Sequence, residues 1–212
     1  MKYDYLIWDF NGTLLDDVQT GIESVNTLLA ERGIPTVESV ERYREVFRFP
    51  IIEYYRALGF DFDKESYEEL APKWVELYLE NVKKAALYED VQKTLEYVRK
   101  SGVKQTVLSA TEETMLRGQI RELGIENYFE EILGLDNIHA GSKLSLARAW
   151  RESHPDARAL FIGDTDHDVQ TAETLGADCI LVARGHQGKA YLETLGVRVA
   201  DRLDKVVELI KE

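Results

Sequence analysis

Four short apolar runs constrain this chain more than any other feature: 5–8, 105–108, 159–162 and 178–182, with a weaker fifth at 131–133. They are close to continuously apolar rather than alternating, the pattern of strands buried on both faces. Between and after them lie segments of helical period at 113–123, 144–152 and 169–175. The stretch 203–210 carries Leu203, Val206, Val207 and Ile210 on one face of a closing helix. Strands alternating with helices at this spacing predict an α/β fold, a Rossmann-like parallel sheet with helices on both faces.

One interval breaks the rhythm. From residue 18 to about 84 nothing reads as a buried strand, yet helical period recurs at 18–32, 51–58 and 67–82. Gly33 with Pro35 ends the first of these and Gly59 closes the second, while Pro50 and Pro72 fit near helix starts. Helices inserted after the first strand of an open sheet form an all-helical cap over the carboxyl ends of the strands, where such sheets bind ligands. The expected division is a catalytic core of 1–16 and 85–212 and a cap of 17–84. A chain of 212 residues suits that arrangement.

Charge narrows the partners. With 39 acidic against 26 basic residues the formal net charge is -13, and no Lys/Arg-rich run offers a basic face. Such a surface repels nucleic acid and anionic membranes. It also repels an anionic small molecule, so a bound cation would help one dock. No apolar stretch approaches the roughly 20 residues of a membrane helix. The opening MKYDYLIWDF lacks the apolar region of a secretory leader. The single cysteine, Cys179, excludes an intramolecular disulfide and reads as a buried thiol in the run CILVA. A cytoplasmic setting is expected.

The chemistry-bearing residues stand at the strand exits. The first exit gives Asp9, Asn11, Gly12 and Thr13; the second gives Ser109, followed by Ala110; LFIG gives Asp164, then Asp166 and Asp168. Lys143 opens a helix after the stretch HAGS. All exits of a parallel sheet point to one edge, so these groups converge. Carboxylates brought together repel unless a cation lies between them, and a hard all-oxygen set suits Mg²⁺. Lys143 and the Ser109 hydroxyl would neutralise and orient phosphoryl oxygens, and Asp9 could attack phosphorus to give an aspartyl-phosphate.

In these motifs the chain resembles the haloacid dehalogenase superfamily of phosphohydrolases, in its phosphoglycolate-phosphatase-like branch with a helical cap. The resemblance runs through Asp9-x-Asn11-x-Thr13, Ser109, Lys143 and Gly163-Asp164-x-x-x-Asp168, and covers essentially the whole chain, including the trailing ARGHQG turn. It implies that Asp9 is the nucleophile and a Mg²⁺ ligand, with Asp164 a second ligand and residue 11 contributing its carbonyl. Asp168 would reach the metal through water or orient Lys143. Thr13, Ser109, Ala110 and Lys143, with main-chain amides after Asp9, would bind the phosphoryl group. The expected partner is a small phosphorylated metabolite; oligomeric state is not specified.

Asn11 departs from the family pattern, Asp-x-Asp-x-Thr. The second Asp of that motif is the family's general acid and base, and an amide can neither give nor take that proton. Loss of such a group costs about 10² to 10⁴ in rate. Three readings follow: a slow phosphatase favouring good leaving groups, a phosphonate hydrolase using a cap lysine (Lys64, Lys73, Lys83 or Lys84) as a Schiff base, or a catalytically weak phosphate-binding protein. Arg48 in VFRFP is a cap cation that would reach a substrate carboxylate or phosphate. Phe47, Tyr54, Tyr55, Trp74 and Tyr78 read as cap core, Ser109 as a possible cap of a helix near Glu112, and Asp166 as a solvated loop acid. His167 reads as a surface residue, and His139, His154 and His186 lack metal-ligand spacing.

Overall fold

The computed structural model describes residues 2–136 and 142–209; His139 lies outside them. Five of the apolar runs are strands: β1 (Tyr5–Trp8), then, after a two-stranded ribbon of β2 (Leu15–Asp16) and β3 (Ala86–Leu87), β4 (Lys104–Glu112), β5 (Glu131–Leu135), β6 (Ala159–Gly163) and β7 (Asp178–Val182). With β8 (Arg198–Ala200) they form one sheet in the order β5-β4-β1-β6-β7-β8, every pair parallel. Four helices lie between β2 and β3: α1 (Val18–Glu31), α2 (Val40–Val46), α3 (Ile51–Leu58) and α4 (Tyr67–Asn81). The rest follow as α5 (Val91–Lys100), α6 (Glu113–Glu122), α7 (Leu144–Ser153), α8 (Asp166–Leu175), α9 (Lys189–Leu192) and α10 (Leu203–Leu209).

The pleat sorts the apolar strands onto two faces. Leu6, Trp8, Leu160 and Ile162 pack with Val91, Leu95 and Val98 of α5 and with Leu203 and Val206 of α10. Their neighbours Tyr5, Ile7, Ala159 and Phe161 pack with Ala147 and Trp150 of α7 and Ala172 and Leu175 of α8. Each large apolar side chain so buried contributes roughly 1.5–3 kcal/mol. The Trp8 indole, fully buried, donates to Gln105 Oε1 at 3.2 Å, so its one polar atom is satisfied. α1–α4 bury a separate cluster that includes Val25, Leu28, Tyr43, Tyr55 and Leu70. No helix among the described residues is long and apolar enough to cross a membrane.

The local expectations fail in instructive places. Pro50 stands at the N-cap of α3 as expected, but Pro72 lies inside α4, whose start is set by a Ser66–Glu69 capping box. Ser109 caps nothing: β4 runs on to Glu112, whose carboxylate accepts from the amides of Thr114 and Met115. α8 begins at Asp166 rather than residue 169, and Asp166, half-buried, accepts from Gln187 and Tyr191. β2, β3 and β8, two or three residues each, are too short to carry a period, and α2 rests on a Ser39 cap.

Candidate active site

The exits of β1 and β6 bring Asp9 and Asp164 to one edge, Ser109 joins them from within β4, three residues before its end, and the start of α7 adds Lys143. Asp9 is pinned by its amide, which donates to Ile162 O at 2.8 Å across the β1–β6 pair. Lys143 Nζ lies 2.5 Å from Asp9 Oδ1 and 2.5 Å from Asp168 Oδ1. The second oxygen of Asp168 accepts from the amides of Asp164 and Thr165 at 2.9 Å and from the Thr165 hydroxyl at 2.8 Å. Asp168 therefore spends its acceptors holding Lys143 and the 164–165 turn. Thr13 Oγ1 donates to Asp164 Oδ1 at 3.2 Å, and the His186 amide to its Oδ2 at 2.6 Å. Three glycines, Gly12, Gly163 and Gly185, make room. A Cβ on Gly163 would stand 2.2 Å from Asp168 Cγ, and one on Gly12 (φ +72°) 2.4 Å from Asp164 Oδ2.

The floor is short of positive charge. Asp9, Asp164 and Asp168 are buried, with ligand oxygens all within 4.8 Å of one another, and Lys143 is the lone lysine among them. Burial and the neighbouring carboxylates push Asp9 well above the usual carboxylate range despite Lys143, and burial foremost lifts Asp164 to about 6. Burial would raise Asp168 too, but Lys143 and the Thr165 hydrogen bonds overcome it and hold it low. Lys143 in turn stays protonated, since Asp168 and Asp9 outweigh its burial. Hard oxygen donors crowded this closely fit a small divalent cation such as Mg²⁺. Asp9 and Asp164 retain oxygens for one, whereas Asp168 is better suited to holding the lysine.

Residue 11 sits in a network of its own. Asn11 Nδ2 donates to Asp17 Oδ2 at 2.8 Å and to the Tyr78 hydroxyl at 2.7 Å, while its Oδ1 accepts from Thr111 at 2.8 Å. Tyr78 of α4, expected to be cap core alone, also donates to Asp17 Oδ2 at 2.7 Å. The Gly12 amide donates to Asp17 Oδ1 at 2.8 Å and to Leu15 O at 3.0 Å, so it is already committed within the protein. His186 Nε2 is 3.4 Å from Asp17 Oδ1 and its Nδ1 is 2.8 Å from the Tyr43 hydroxyl. Burial alone would lower His186, but Asp17, with Asp164 and Asp9, raises it to about 9; His186 and the donated hydrogen bonds hold Asp17 low against its own burial. Sequence reasoning missed Asp17 and His186. Their signal was weak: one stands in a loop before α1, the other in the ARGHQG turn, and neither has a partner at recognisable spacing.

Above the floor lies a cavity of about 170 Å³. Asp9, Asn11, Ser109, Ala110, Lys143 and Asp164 line its lower side; Tyr54, Tyr55, Trp74 and Tyr78 help to line the upper. Ser109, buried, shares hydrogen bonds with Thr111. α2 and the segment after it dock onto the core by side chains: Arg44 donates to the carbonyls of Arg184 and Gly185 at 2.6 and 2.8 Å, and Phe47 stacks on His186 at 4.9 Å. Phe49 stacks on His167 at 4.6 Å. His167 is thus buried, contrary to expectation, and burial lowers it to about 4. Arg48 is exposed, donates to Val46 O at 2.9 Å and does not line the cavity. Lys64, Lys73, Lys83 and Lys84 are exposed and outside the lining as well. Cys179 is half-buried and its thiol is pushed up by burial.

Comparison with known proteins adds a family. A model described as haloacid dehalogenase-like hydrolase matches residues 6–182. The chain is 27% identical to a phosphoglycolate phosphatase of Pseudomonas syringae pv. tomato, over 95% of this chain and 78% of that one. The solved structure of the protein tyrosine kinase PtkA of Mycobacterium tuberculosis superposes with a TM-score of 0.81 at 26% identity, over 98% of both chains. A haloacid dehalogenase-like family hydrolase from Streptococcus pneumoniae, 21% identical over 99% of both chains, has the same fold with a TM-score of 0.79.

Proposed function

The chain belongs to the haloacid dehalogenase-like hydrolases, and on that premise we propose that it is a Mg²⁺-dependent phosphatase acting on a small phosphorylated metabolite through Asp9. The observation that carries this reading is the floor itself: a buried carboxylate held on Lys143 at 2.5 Å, beside a second carboxylate, and open to a cavity. Mg²⁺ held by Asp9, Asp164 and the carbonyl of Asn11 would neutralise the phosphoryl oxygens. Lys143 takes a share of the same charge, and Asp168 positions Lys143. Ser109 and Ala110 line the cavity a phosphoryl group would fill, whereas Thr13, fully buried and outside the lining, instead braces Asp164 through its hydroxyl. Asp9 forms the new bond to phosphorus, and the leaving oxygen departs without a proton from residue 11, because an amide has no proton to transfer and both Asn11 N–H groups are held by Asp17 and Tyr78. The phosphonate alternative has no support, since no cap lysine reaches the cavity.

A panel of phosphate monoesters assayed with Mg²⁺, on the native protein and on Asn11→Asp, tests the reading. The substitution puts a carboxyl against Asp17, where two acids share a proton, the state a general acid needs. Turnover of alkyl phosphates should rise by about 10² to 10⁴. If neither protein hydrolyses any ester or carries phosphoryl on Asp9, the chain is a binding protein and not a phosphatase.

A further inference from the structure

The upper side of the cavity limits what can leave. Most of its side chains are aromatic and aliphatic, from Phe47 and Phe49 through Tyr54 and Tyr55 to Trp74 and Met115, and the polar Thr111 and Glu112 next to Met115 add no positive charge. Among the described residues the only lysine or arginine in the lining is Lys143, committed to Asp9 and Asp168. His186, the other cation, is spent on Asp17. A leaving group with a second negative charge, as a carboxylate or another phosphate, finds nothing here to neutralise it, and burying an unpaired charge is prohibitive. A polyhydroxylated sugar fares little better: Tyr43 and Tyr78 have their hydroxyls bonded within the protein, and of the buried side-chain atoms without a partner only the Tyr54 hydroxyl belongs to a described residue of the lining. The volume of about 170 Å³ is close to that of a cavity, about 150 Å³, known to admit benzene.

We propose, resting on the phosphatase reading above, that the substrate is the phosphate monoester of a phenol, its single uncharged ring seated among Tyr54, Tyr55 and Trp74 and its phosphoryl group on Asp9. Two independent features converge on this class. The roof offers ring faces and edges for stacking. The floor lacks an acid at residue 11, and a phenol, with an acidity like that of Tyr at about 10 against 15.7 for water, leaves as its anion far more readily than an alkyl alcohol. An Asp9 oxygen bonds to phosphorus as the bond from phosphorus to the phenolic oxygen breaks; its electron pair departs with the phenolate, which takes a proton from water. A water oxygen then bonds to the same phosphorus, the pair of the Asp9–phosphorus bond returns to the carboxylate, and the water's protons go to orthophosphate and solvent. Aryl phosphate and water yield phenol and orthophosphate. Residue 11 supplies no base for the second half, so phosphoryl-Asp9 accumulates.

Rapid-mixing kinetics on the full chain with Mg²⁺ and phenyl phosphate should show a burst of about one phenol per chain before a slower steady state. The discriminating comparison sets phenyl phosphate against hexafluoroisopropyl phosphate, whose alcohol is about as acidic but has no ring. The burst phase should favour phenyl phosphate at least tenfold in kcat/KM, and Trp74→Ala should shrink that ratio by a similar factor. Equal values for the two esters in the native protein would overturn the aryl assignment while leaving the phosphatase reading intact. Failure to phosphorylate Asp9 with either ester and with acetyl phosphate would instead remove the phosphatase reading, and this inference with it.

Discussion

The floor and the roof of one cavity are built on opposite principles. Below, Asp9, Lys143, Asp164 and Asp168 are joined by charge and short hydrogen bonds, and no member moves without disturbing another. Above, rings meet through their faces and edges, and one hydroxyl, on Tyr54, is left unpartnered. The first arrangement fixes geometry around a reacting phosphorus; the second admits a shape and rejects charge. On the proposed function, the difference teaches that reaction and substrate choice are carried by separate parts of the chain, the first by strand exits and the second by inserted helices.

That separation is broken most severely at the proposed nucleophile. Asp9→Asn keeps the shape and removes the carboxylate proposed to attack, leaving Lys143 on Asp168. Turnover of acetyl phosphate should fall on the order of 10⁶-fold, as for loss of a catalytic nucleophile elsewhere, with the roof and the fold intact by circular dichroism. Residual turnover above one hundredth of native would place the nucleophile elsewhere. Next in size is Lys143→Met, which strands two buried carboxylates. Urea unfolding without metal should show a loss of roughly 3–5 kcal/mol, and added Mg²⁺ should restore part of it. A loss under 1 kcal/mol would mean that the carboxylates are relieved by protonation alone.

The two regions differ just as much in how far they can be read from the chain. The floor was legible because a parallel sheet delivers every strand exit to one edge, so Asp9, Ser109 and Asp164 converge by topology before any side chain is placed. Lys143, at a helix start rather than a strand exit, was legible as the match to the family's lone lysine. The roof was legible only as helices: period placed Tyr54, Trp74 and Tyr78 on apolar faces but not which of them would face a cavity, since packing between α1–α4 decides that. Arg48 shows the limit, an attractive cation that is exposed, donates its Nε to Val46 O and stays out of the cavity lining. The seam between the regions was the least legible. Asp17, Tyr78 and His186 come from three separate segments, and their meeting depends on how the cap docks.

The seam is where pH should act. Asp17 raises His186 from 6.5 to about 9, so the folded state binds that proton more tightly than the unfolded chain. Its contribution is complete below pH 6.5, declines as pH rises, and is gone above about 9. Unfolding free energy should therefore fall between pH 6.5 and 9 by on the order of 3 kcal/mol, and His186→Gln should flatten that slope. His167 acts with the opposite sign: lowered to about 4, it withdraws stability as pH drops from 6.5 towards 4. A flat profile from 6.5 to 9 in the native protein would detach His186 from Asp17.

The smallest expected effect lies in the roof and sharpens the contrast most. A buried hydroxyl with no partner costs about 1–3 kcal/mol, and removing it without changing the ring relieves that cost. Tyr54→Phe should therefore raise the unfolding free energy by about 1 kcal/mol, the reverse of most core substitutions. Burial keeps the Tyr54 phenol protonated, so no charge is altered. For an aryl phosphate bearing a para-hydroxyl, KM should rise in the same variant, while unsubstituted phenyl phosphate feels the change less. A more stable protein that binds its ligand worse is what a group held for the ligand produces. A Tyr54→Phe variant less stable than native would show that the hydroxyl is satisfied in the free protein, leaving the roof purely apolar.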